Sequence, residues 1–482
     1  MRILLINPSL RQATTGQYEK ELEEQRGIYP PLGLAYIAAI LEKNDYQVTI
    51  IDCDTETNYR DKIQDTCYEL KPQIVGFYAM TWSYILAKEI ATQVKNIDKK
   101  IITILGGPNV TSMPHSSLKL GEFDFGVLGE GEKTIIELLE KIDGKKNIPY
   151  EKILGLAFKK DEAVIVNGLR PLINDLDTLP YPARHLLPIK KYFDVFSQKK
   201  HFATIIATRG CPFNCVFCDR QNRMGRNWRR RSPINIALEI KAIRDIHGIK
   251  EFMFFDDNII IDKVWALQLC KEIKKLNIAW ECRERVDMVD EDVLLAMKKS
   301  GCYRIRFGFE SGDNNVLNTL KKGIRVEQSI KCAEICKKVG IEVYGYFMIG
   351  APNETPDTIN KTINLSLKMQ PSFAIFSKTI LIPGSDLFEY GVKTNQIRRD
   401  YWERYLAGIE TNGAPSLTKE KLSETEIDNF VKLADRKFYL RPNFIIKRIL
   451  RTKNLTHIIR QAKMGIALIF KNTKKEGLKK FA

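Results

Sequence analysis

Histidine is scarce in this chain, and long apolar runs are missing. Only five histidines occur among 482 residues, few to draw on for a zinc site that needs four protein ligands. The longest late apolar run, Met464 to Phe470, falls far short of the ~20 residues that span a bilayer. No G-x-G-x-x-G follows the first apolar segment, so the dinucleotide fingerprint is absent. The ten cysteines are scattered except for three, which argues for buried thiols and against a disulfide framework. The opening Met1-Arg-Ile-Leu-Leu-Ile-Asn7-Pro8 reads as a buried strand and a turn, not a secretory leader. A cytoplasmic protein is expected.

What is present fits folded domains. Apolar residues make up 44% and charged residues 28%, enough for a core in each of two or three domains. The net charge of +17 is concentrated at one end: Val431 to Ala482 holds fifteen Lys and Arg against two acids. Such a tail favours an anionic partner.

From Met1 to about Lys160 short β runs (Ile3–Asn7, Gln47–Asp52, Ile74–Tyr78, Ile101–Gly106, Asp124–Gly129) alternate with helical stretches starting near Gly33, Asp61, Ser83 and Glu132. That alternation predicts α/β structure, a Rossmann-like doubly wound parallel sheet over residues 1–165. Ligands of such sheets bind beyond the carboxyl ends of the strands. Those ends carry Asn7-Pro8, Asp52, Gly106-Gly107-Pro108 and Gly129-Glu130-Gly131-Glu132. The glycines serve either as simple turns or as places where a planar ligand approaches the backbone. A proline-containing linker is expected over 166–195. A second α/β series over 196–385 predicts strands at Ala203–Thr208, Phe252–Asp256, Ala279–Arg285, Arg304–Glu310, Val343–Ile349 and Phe373–Leu381. Six βα units at this density predict a partial (β/α)6 TIM-like barrel, with its chemistry at the strand carboxyl ends. Residues 386–482 read as a basic, mostly helical C-terminal extension.

One loop stands out: Thr208-Arg-Gly-Cys211-Pro-Phe-Asn-Cys215-Val-Phe-Cys218-Asp. Three thiolates spaced C-x3-C-x2-C can hold three irons of a cubane 4Fe–4S cluster and leave the fourth iron open. Zinc competes, but His201 lies before the strand and no fourth cysteine is close.

This spacing after the first barrel strand resembles the radical S-adenosylmethionine superfamily, with Phe217 before the third cysteine as that family prefers. Phe254-Phe-Asp256-Asp257-Asn258 resembles the stretch that contacts the methionine part of the cofactor. Gly308-Phe-Glu310-Ser311 resembles the fourth-strand end that faces it. Gly345-Tyr-Phe-Met-Ile349-Gly350-Ala-Pro-Asn-Glu354 resembles the fifth-strand pattern against the adenine. Read on their own chemistry, Asp256 or Asp257 pairs with the methionine ammonium and Glu310 accepts from ammonium or ribose, or else each acid caps the next helix.

With the N-terminal domain included, the chain resembles the cobalamin-binding, class B methyltransferase-like branch. Pro30-Pro-Leu-Gly33, Gly106-Gly107-Pro108, Gly129-Glu130-Gly131-Glu132 and Leu179-Pro-Tyr-Pro182 carry that likeness. It implies a cobalamin site from Asn7, Pro8, Gly33, Asp52, Gly106, Gly107, Gly129, Glu130 and Gly131. The chain departs from better-known cobalamin domains in having no D-x-H-x-x-G. His115, the one histidine of the region, lacks the preceding Asp, so no histidine is expected beneath cobalt.

The resemblance implies reductive cleavage of S-adenosylmethionine at the cluster to a 5′-deoxyadenosyl radical, then methylation, or ring or C–C bond formation, at an unactivated carbon. A one-electron donor such as ferredoxin or flavodoxin is implied. Phe438 to Leu450, followed by Leu455, Ile458, Ile459, Ala462 and Ile466, reads as a basic amphipathic helix. It either lies on an anionic membrane, which suggests a lipid or isoprenoid substrate, or packs on the barrel. Arg226, Arg229, Arg230 and Arg231 either hold an anionic substrate or rim the barrel. Two other readings stay open: the same radical chemistry without cobalamin, and a metal-stapled RNA-binding or RNA-modifying protein. Beyond the Phe438-Tyr439 pair no stacking aromatics interleave with the basic tail, and the RNA reading ranks last because it leaves the six barrel strand ends without purpose.

Overall fold

The computed structural model describes residues 1–13, 27–194, 196–199, 201–219, 224–410, 413–417, 421–442 and 444–446. In the first sheet β1 (Arg2–Asn7), β2 (Gln47–Asp52), β3 (Ile74–Tyr78), β4 (Ile102–Gly106) and β5 (Phe125–Val127) run parallel in the order β2-β1-β3-β4-β5. Ile3 to Ile6 form an unbroken buried run, as expected of a parallel strand covered on both faces. Helices Leu32–Lys43 and Gly131–Ile142 cover one face, and Tyr59–Leu70 and Tyr84–Ile97 the other. The doubly wound sheet read from sequence is present.

The sheet also has two strands that the sequence reading did not separate. β6 (Leu156–Lys160) and β7 (Ala163–Val166) add an antiparallel hairpin to the β5 edge, with Asp161 at φ 52 in its turn. Each is short, and β7 is only half-buried, so neither gives the 4–8-residue alternation that marks a strand. The prolines after it do not leave the chain free. Single 3-10 turns at Leu176–Thr178, Arg184–Leu186 and Ile189–Lys191 bury Arg184 and Tyr192. Arg184 donates to the Thr204 carbonyl at 2.6 Å and to Glu239 at 2.8 Å.

The second sheet begins with β8 (Ala203–Ile205). A two-residue ribbon, β9 (Thr208–Arg209) with β10 (Arg229–Arg230), flanks it. Then come β11 (Glu251–Phe254), β12 (Ala279–Glu284), β13 (Cys302–Glu310), β14 (Glu342–Ile349) and β15 (Phe373–Lys378). The six strands of this sheet are parallel, in the order β8-β11-β12-β13-β14-β15, an open, partial barrel. Side chains alternate along them: Ile305, Phe307 and Phe309 pack on the helices, while Arg304, Arg306 and Glu310 face inward. Asp194 and Phe196 strap the amino-terminal end of the barrel. Arg306 donates to Asp194 at 2.8 Å and Arg304 to the Phe196 carbonyl at 2.9 Å. The first domain covers the open side, since Phe202 and Met253 share one apolar cluster with Ile3, Leu34 and Tyr192.

In the C-terminal region helix Glu424–Tyr439 puts Ile427 and Phe438 into the barrel core, and Trp402 packs on Trp82 at 5.1 Å. Phe438 is therefore a core residue. The helix expected over Leu455 to Ile466, with Lys447, Arg448 and Arg451, lies outside the described residues. Among the described residues no helix is long and apolar enough to cross a membrane.

Candidate active site

The loop after β8 is shaped by its glycine. Gly210 adopts φ +88, and a Cβ there would meet the Asn227 carbonyl oxygen at 2.2 Å, so only glycine lets the chain turn here. Cys211 N–H donates to the Gly225 carbonyl at 3.3 Å, Val216 N–H to Leu320 at 3.1 Å and Cys218 N–H to Cys215 at 3.1 Å. Cys211, Cys215 and Cys218 are all partly exposed, whereas the other seven cysteines are buried. Among the described residues no three His, Cys, Asp or Glu side chains close on a common point. The fit to an iron–sulfur cluster rests on the donor set: three accessible thiols within one turn of loop, the ligand chemistry of such clusters.

Polar groups from the neighbouring strand ends reach these sulfurs. In one orientation of its amide Asn258 donates Nδ2–H to Cys211 Sγ at 3.3 Å, and in the flipped one it donates to Glu284 Oε1 at 3.1 Å instead. Arg285 Nη1 stands 3.8 Å from Cys215 Sγ, with its guanidinium 3.6 Å from the Phe213 ring centre. Burial pushes the Cys211 thiol up, and the Arg285 charge opposes that.

Asp256 is buried, and both of its oxygens face the cysteine loop. It accepts from Ala207 N–H at 3.0 Å, from Thr208 N–H, and from the Thr208 hydroxyl at 2.6 Å. Burial pushes its carboxyl up to about 6. It caps no helix, because Asp262 caps the following one. Asp257 follows it, half-buried, beside the loop. Glu310 ends β13 at φ +61 and accepts from Lys322 at 2.7 Å. The Lys322 ammonium lies 5.8 Å from the Phe217 ring centre. Ser311 is buried and tied to Thr362 at 3.1 Å. The Ile349 side chain is fully buried in the barrel core, so its backbone is what faces the rim, next to Gly350 at φ +89. Glu354 holds that turn, one oxygen accepting from Gly350 N–H at 2.6 Å and Ala351 N–H at 3.0 Å.

At the first sheet's carboxyl rim Asn7 donates to Asp52 at 2.8 Å and Tyr192 donates to Asp52 at 2.9 Å. Asp52 and Pro8 are buried, so these two build the rim rather than line its surface. Gly33 is exposed, with only Tyr78 near its Cβ direction at 3.7 Å, and Gly107, at φ +100, sits against the same tyrosine. The exposed Gly33, beside the half-buried Tyr78 ring, leaves backbone that a planar corrin can approach. Gly129 takes φ +65, and a Cβ on Gly131 would meet Val127 at 3.0 Å. His115 is exposed on the short helix Pro114–Lys119, which packs on β6 and β7.

The two rims are joined by charge. Arg209, two residues before Cys211, donates to Glu130 at 3.1 Å and to Glu132 at 2.6 Å. Arg229 donates to Glu130 at 2.8 Å, and Glu130 also accepts from Ile173 N–H at 2.7 Å. Arg231 pairs with Glu239 at 2.5 Å and Arg230 with Asp262 at 3.0 Å. Arg229 thus stitches the barrel to the first domain, while Arg230 and Arg231 pair within the barrel. Arg209, Glu284, Arg285, Lys322 and Glu354 were not singled out in the sequence. Only Arg285 had a signal, the charged residues at every second position from Glu281 that mark an inward polar face.

Residues 22–139 match the B12 binding domain family and residues 205–366 the Radical SAM superfamily. The chain is 33% identical to an uncharacterized methyltransferase of Pyrococcus horikoshii, over 98% of this chain and 99% of the relative. It is 29% identical to the cytidylyl-2-hydroxyethylphosphonate methyltransferase of Streptomyces wedmorensis, over 73% of each. Its fold resembles the solved structure of OxsB, a cobalamin-dependent S-adenosylmethionine radical enzyme with aqua-cobalamin and S-adenosylmethionine bound. That likeness has a TM-score of 0.73 at 15% identity, covering 97% of this chain and 71% of that one.

Proposed function

This chain belongs to the Radical SAM superfamily, in the branch that also carries a B12 binding domain, and from that membership we propose that it is a cobalamin-dependent methyltransferase acting on a small molecule. The observation that carries the reading is the loop with its three accessible cysteines, which Arg209 ties to the rim of the B12 domain.

When bound, the cluster supplies an electron to S-adenosylmethionine and the corrinoid carries the methyl group; the hard chemistry is the cofactors' own. The protein's part is positioning. Cys211, Cys215 and Cys218 hold the cluster. Asn258 and Arg285 stand against two of the sulfurs and stabilise their negative charge. Asp256 fixes the loop's first turn. The ends of β11, β13 and β14, with Asp257, Glu310, Ser311 and Gly350, receive S-adenosylmethionine. Asn7, Gly33, Gly106, Gly107 and Gly129 to Gly131 approach the corrinoid. Residues 1–165 and 196–385 are the two functional units, and 166–195 is the strap between them. The electron comes from a ferredoxin or flavodoxin. A lipid or isoprenoid substrate, with the basic terminus on an anionic surface, is the finer form of this reading. Flotation with anionic liposomes tests it: equal binding by the full chain and a chain ending at Ile446, which keeps the core helix, removes it.

The decisive assay is anaerobic reconstitution, then formation of 5′-deoxyadenosine and transfer of labelled methyl from S-adenosylmethionine, with Cys215→Ala as control. 5′-Deoxyadenosine from the parent and none from the variant supports the radical chemistry. Protein without iron after reconstitution refutes it. Cobalamin absent from protein reconstituted with an excess of it removes the corrinoid part alone.

A further inference from the structure

The alternation along β12 turns Glu281, Arg283 and Arg285 into the barrel interior as one row. Two of the three are satisfied. Glu281 accepts from Arg306 at 2.6 Å and Arg304 at 3.1 Å. Arg285 bonds Asp287 at 2.9 Å and the Lys322 carbonyl at 2.6 Å. Arg283 is different. Half-buried, it makes no hydrogen bond or ion pair among the described residues, and its neighbour is the Phe255 ring, 4.5 Å away. In the strand register it stands opposite Arg306, a like charge. The nearby carboxylates are taken: both Glu281 oxygens by Arg304 and Arg306, and Asp194 Oδ2 by Arg306.

Two phenols converge on the same space. Tyr29 enters from the first domain, its ring 5.4 Å from Phe255, close enough that Arg283 and Arg306 act on its hydroxyl. Tyr346, on β14, stands opposite Gly308 in the strand register and alternates away from the core residues Phe347 and Ile349, which turns it to the interior. Neither hydroxyl has a partner among the described residues. None of their polar atoms is sealed from solvent, so five guanidinium N–H groups and two hydroxyls stay open to an entering ligand. The planar fork of arginine matches carboxylate and phosphate oxygens.

We propose that Arg283, Tyr29 and Tyr346 form a subsite for an anionic group of the substrate, a carboxylate, phosphonate or phosphate, with Phe255 against the adjoining carbon. The assignment rests on the reading of the barrel as the reaction chamber. The methionine carboxylate of S-adenosylmethionine has the same chemistry, so the test separates the two sources. Methylphosphonate binding to the reconstituted full chain is followed by 31P NMR line broadening, with acetate as competitor, and S-adenosylmethionine affinity is measured on the same samples. Arg283→Gln should weaken methylphosphonate about tenfold or more, the size of a lost charge-assisted contact. Tyr29→Phe with Tyr346→Phe should weaken it less, and this second variant keeps the test alive if the first fails to fold. Arg398→Gln, an exposed position, controls for general surface charge. Equal binding by the parent and Arg283→Gln, or no binding by the parent, overturns the subsite. Loss of S-adenosylmethionine in place of methylphosphonate also overturns it and gives the guanidinium to the cofactor. Absence of 5′-deoxyadenosine from the parent would instead sink the underlying reading and leave the anion result standing.

Discussion

Glu130→Gln keeps the shape of its side chain and removes the charge at the junction of the two domains. In the parent the side chain is 4% exposed and faces Arg229 at 2.8 Å and Arg209 at 3.1 Å. The amide offers one acceptor in place of two and turns an NH2 towards guanidinium donors. Breaking a buried ion pair costs about 3–5 kcal/mol. Here Arg209 keeps Glu132 at 2.6 Å, and Arg229 keeps the Ile173 and Met224 carbonyls at 2.7 Å and 3.0 Å. The lower end applies, about 3 kcal/mol. At about 2–4 °C per kcal/mol for a large domain, the thermal midpoint should fall by roughly 6–12 °C. A double-mutant cycle with Arg209→Gln isolates the link, with a coupling of about 1.5–3 kcal/mol expected. Because Arg209 leads directly into Cys211, a ~1 Å shift of the loop should lower 5′-deoxyadenosine formation on the order of 100-fold. Iron content is measured in parallel to separate a displaced cluster from a lost one. Additive effects, with a coupling below about 0.5 kcal/mol, or an unchanged midpoint would refute the reasoning.

Three further outcomes are expected. Gly210→Ala forces a Cβ to within 2.2 Å of the Asn227 carbonyl at φ +88, so reconstituted protein should hold little iron; parent-level iron would show that the turn tolerates a side chain. Lys322→Met leaves Glu310 buried and unpaired and should cost about 3–5 kcal/mol, most of it recovered when Glu310→Gln is added, as denaturant midpoints will show. Burial pushes the Glu354 carboxyl up to about 7, and its second oxygen is buried without a partner. A carboxyl raised in the folded state stabilises below its unfolded value near 4.5, and that contribution is lost as pH rises through about 7. The loss is on the order of 3 kcal/mol, and a Glu354→Gln variant whose midpoint falls just as steeply over that range would contradict it.

Much of the architecture was legible because parallel strands write themselves as apolar runs. β2 and β3 occur at the residues read from sequence, and β13 and β14 differ by one or two at their starts. The hairpin β6–β7 was lost because two short, half-exposed strands carry almost no periodic signal. The cysteine loop was legible as spacing alone. What Asp256 does was not: besides the Thr208 hydroxyl its partners are backbone N–H groups of Ala207 and Thr208, 49 and 48 residues away, and backbone donors leave no mark in a sequence. Glu130 was read as part of a ligand-binding turn, yet its carboxylate faces Arg209 and Arg229. Pairings across 79 and 99 residues emerge only when the two sheets are brought together. Of the two readings of the tail, packing on the barrel holds for Phe438, which sits beside basic residues in sequence but inside the barrel core in space.

The strap has a consequence for how the molecule is made. Asp52 meets the Tyr192 hydroxyl 140 residues later, and Leu187, Tyr192 and Phe202 complete the apolar cluster over the first sheet. At about 5–20 residues per second on the ribosome, the first sheet waits roughly 7–28 s for these partners to be synthesised. Throughout that interval the nascent domain presents an uncovered greasy face and an acid that lacks one of its donors. The emerging chain is thus a natural client for a holdase, released when the strap and the first barrel strand arrive to cover it.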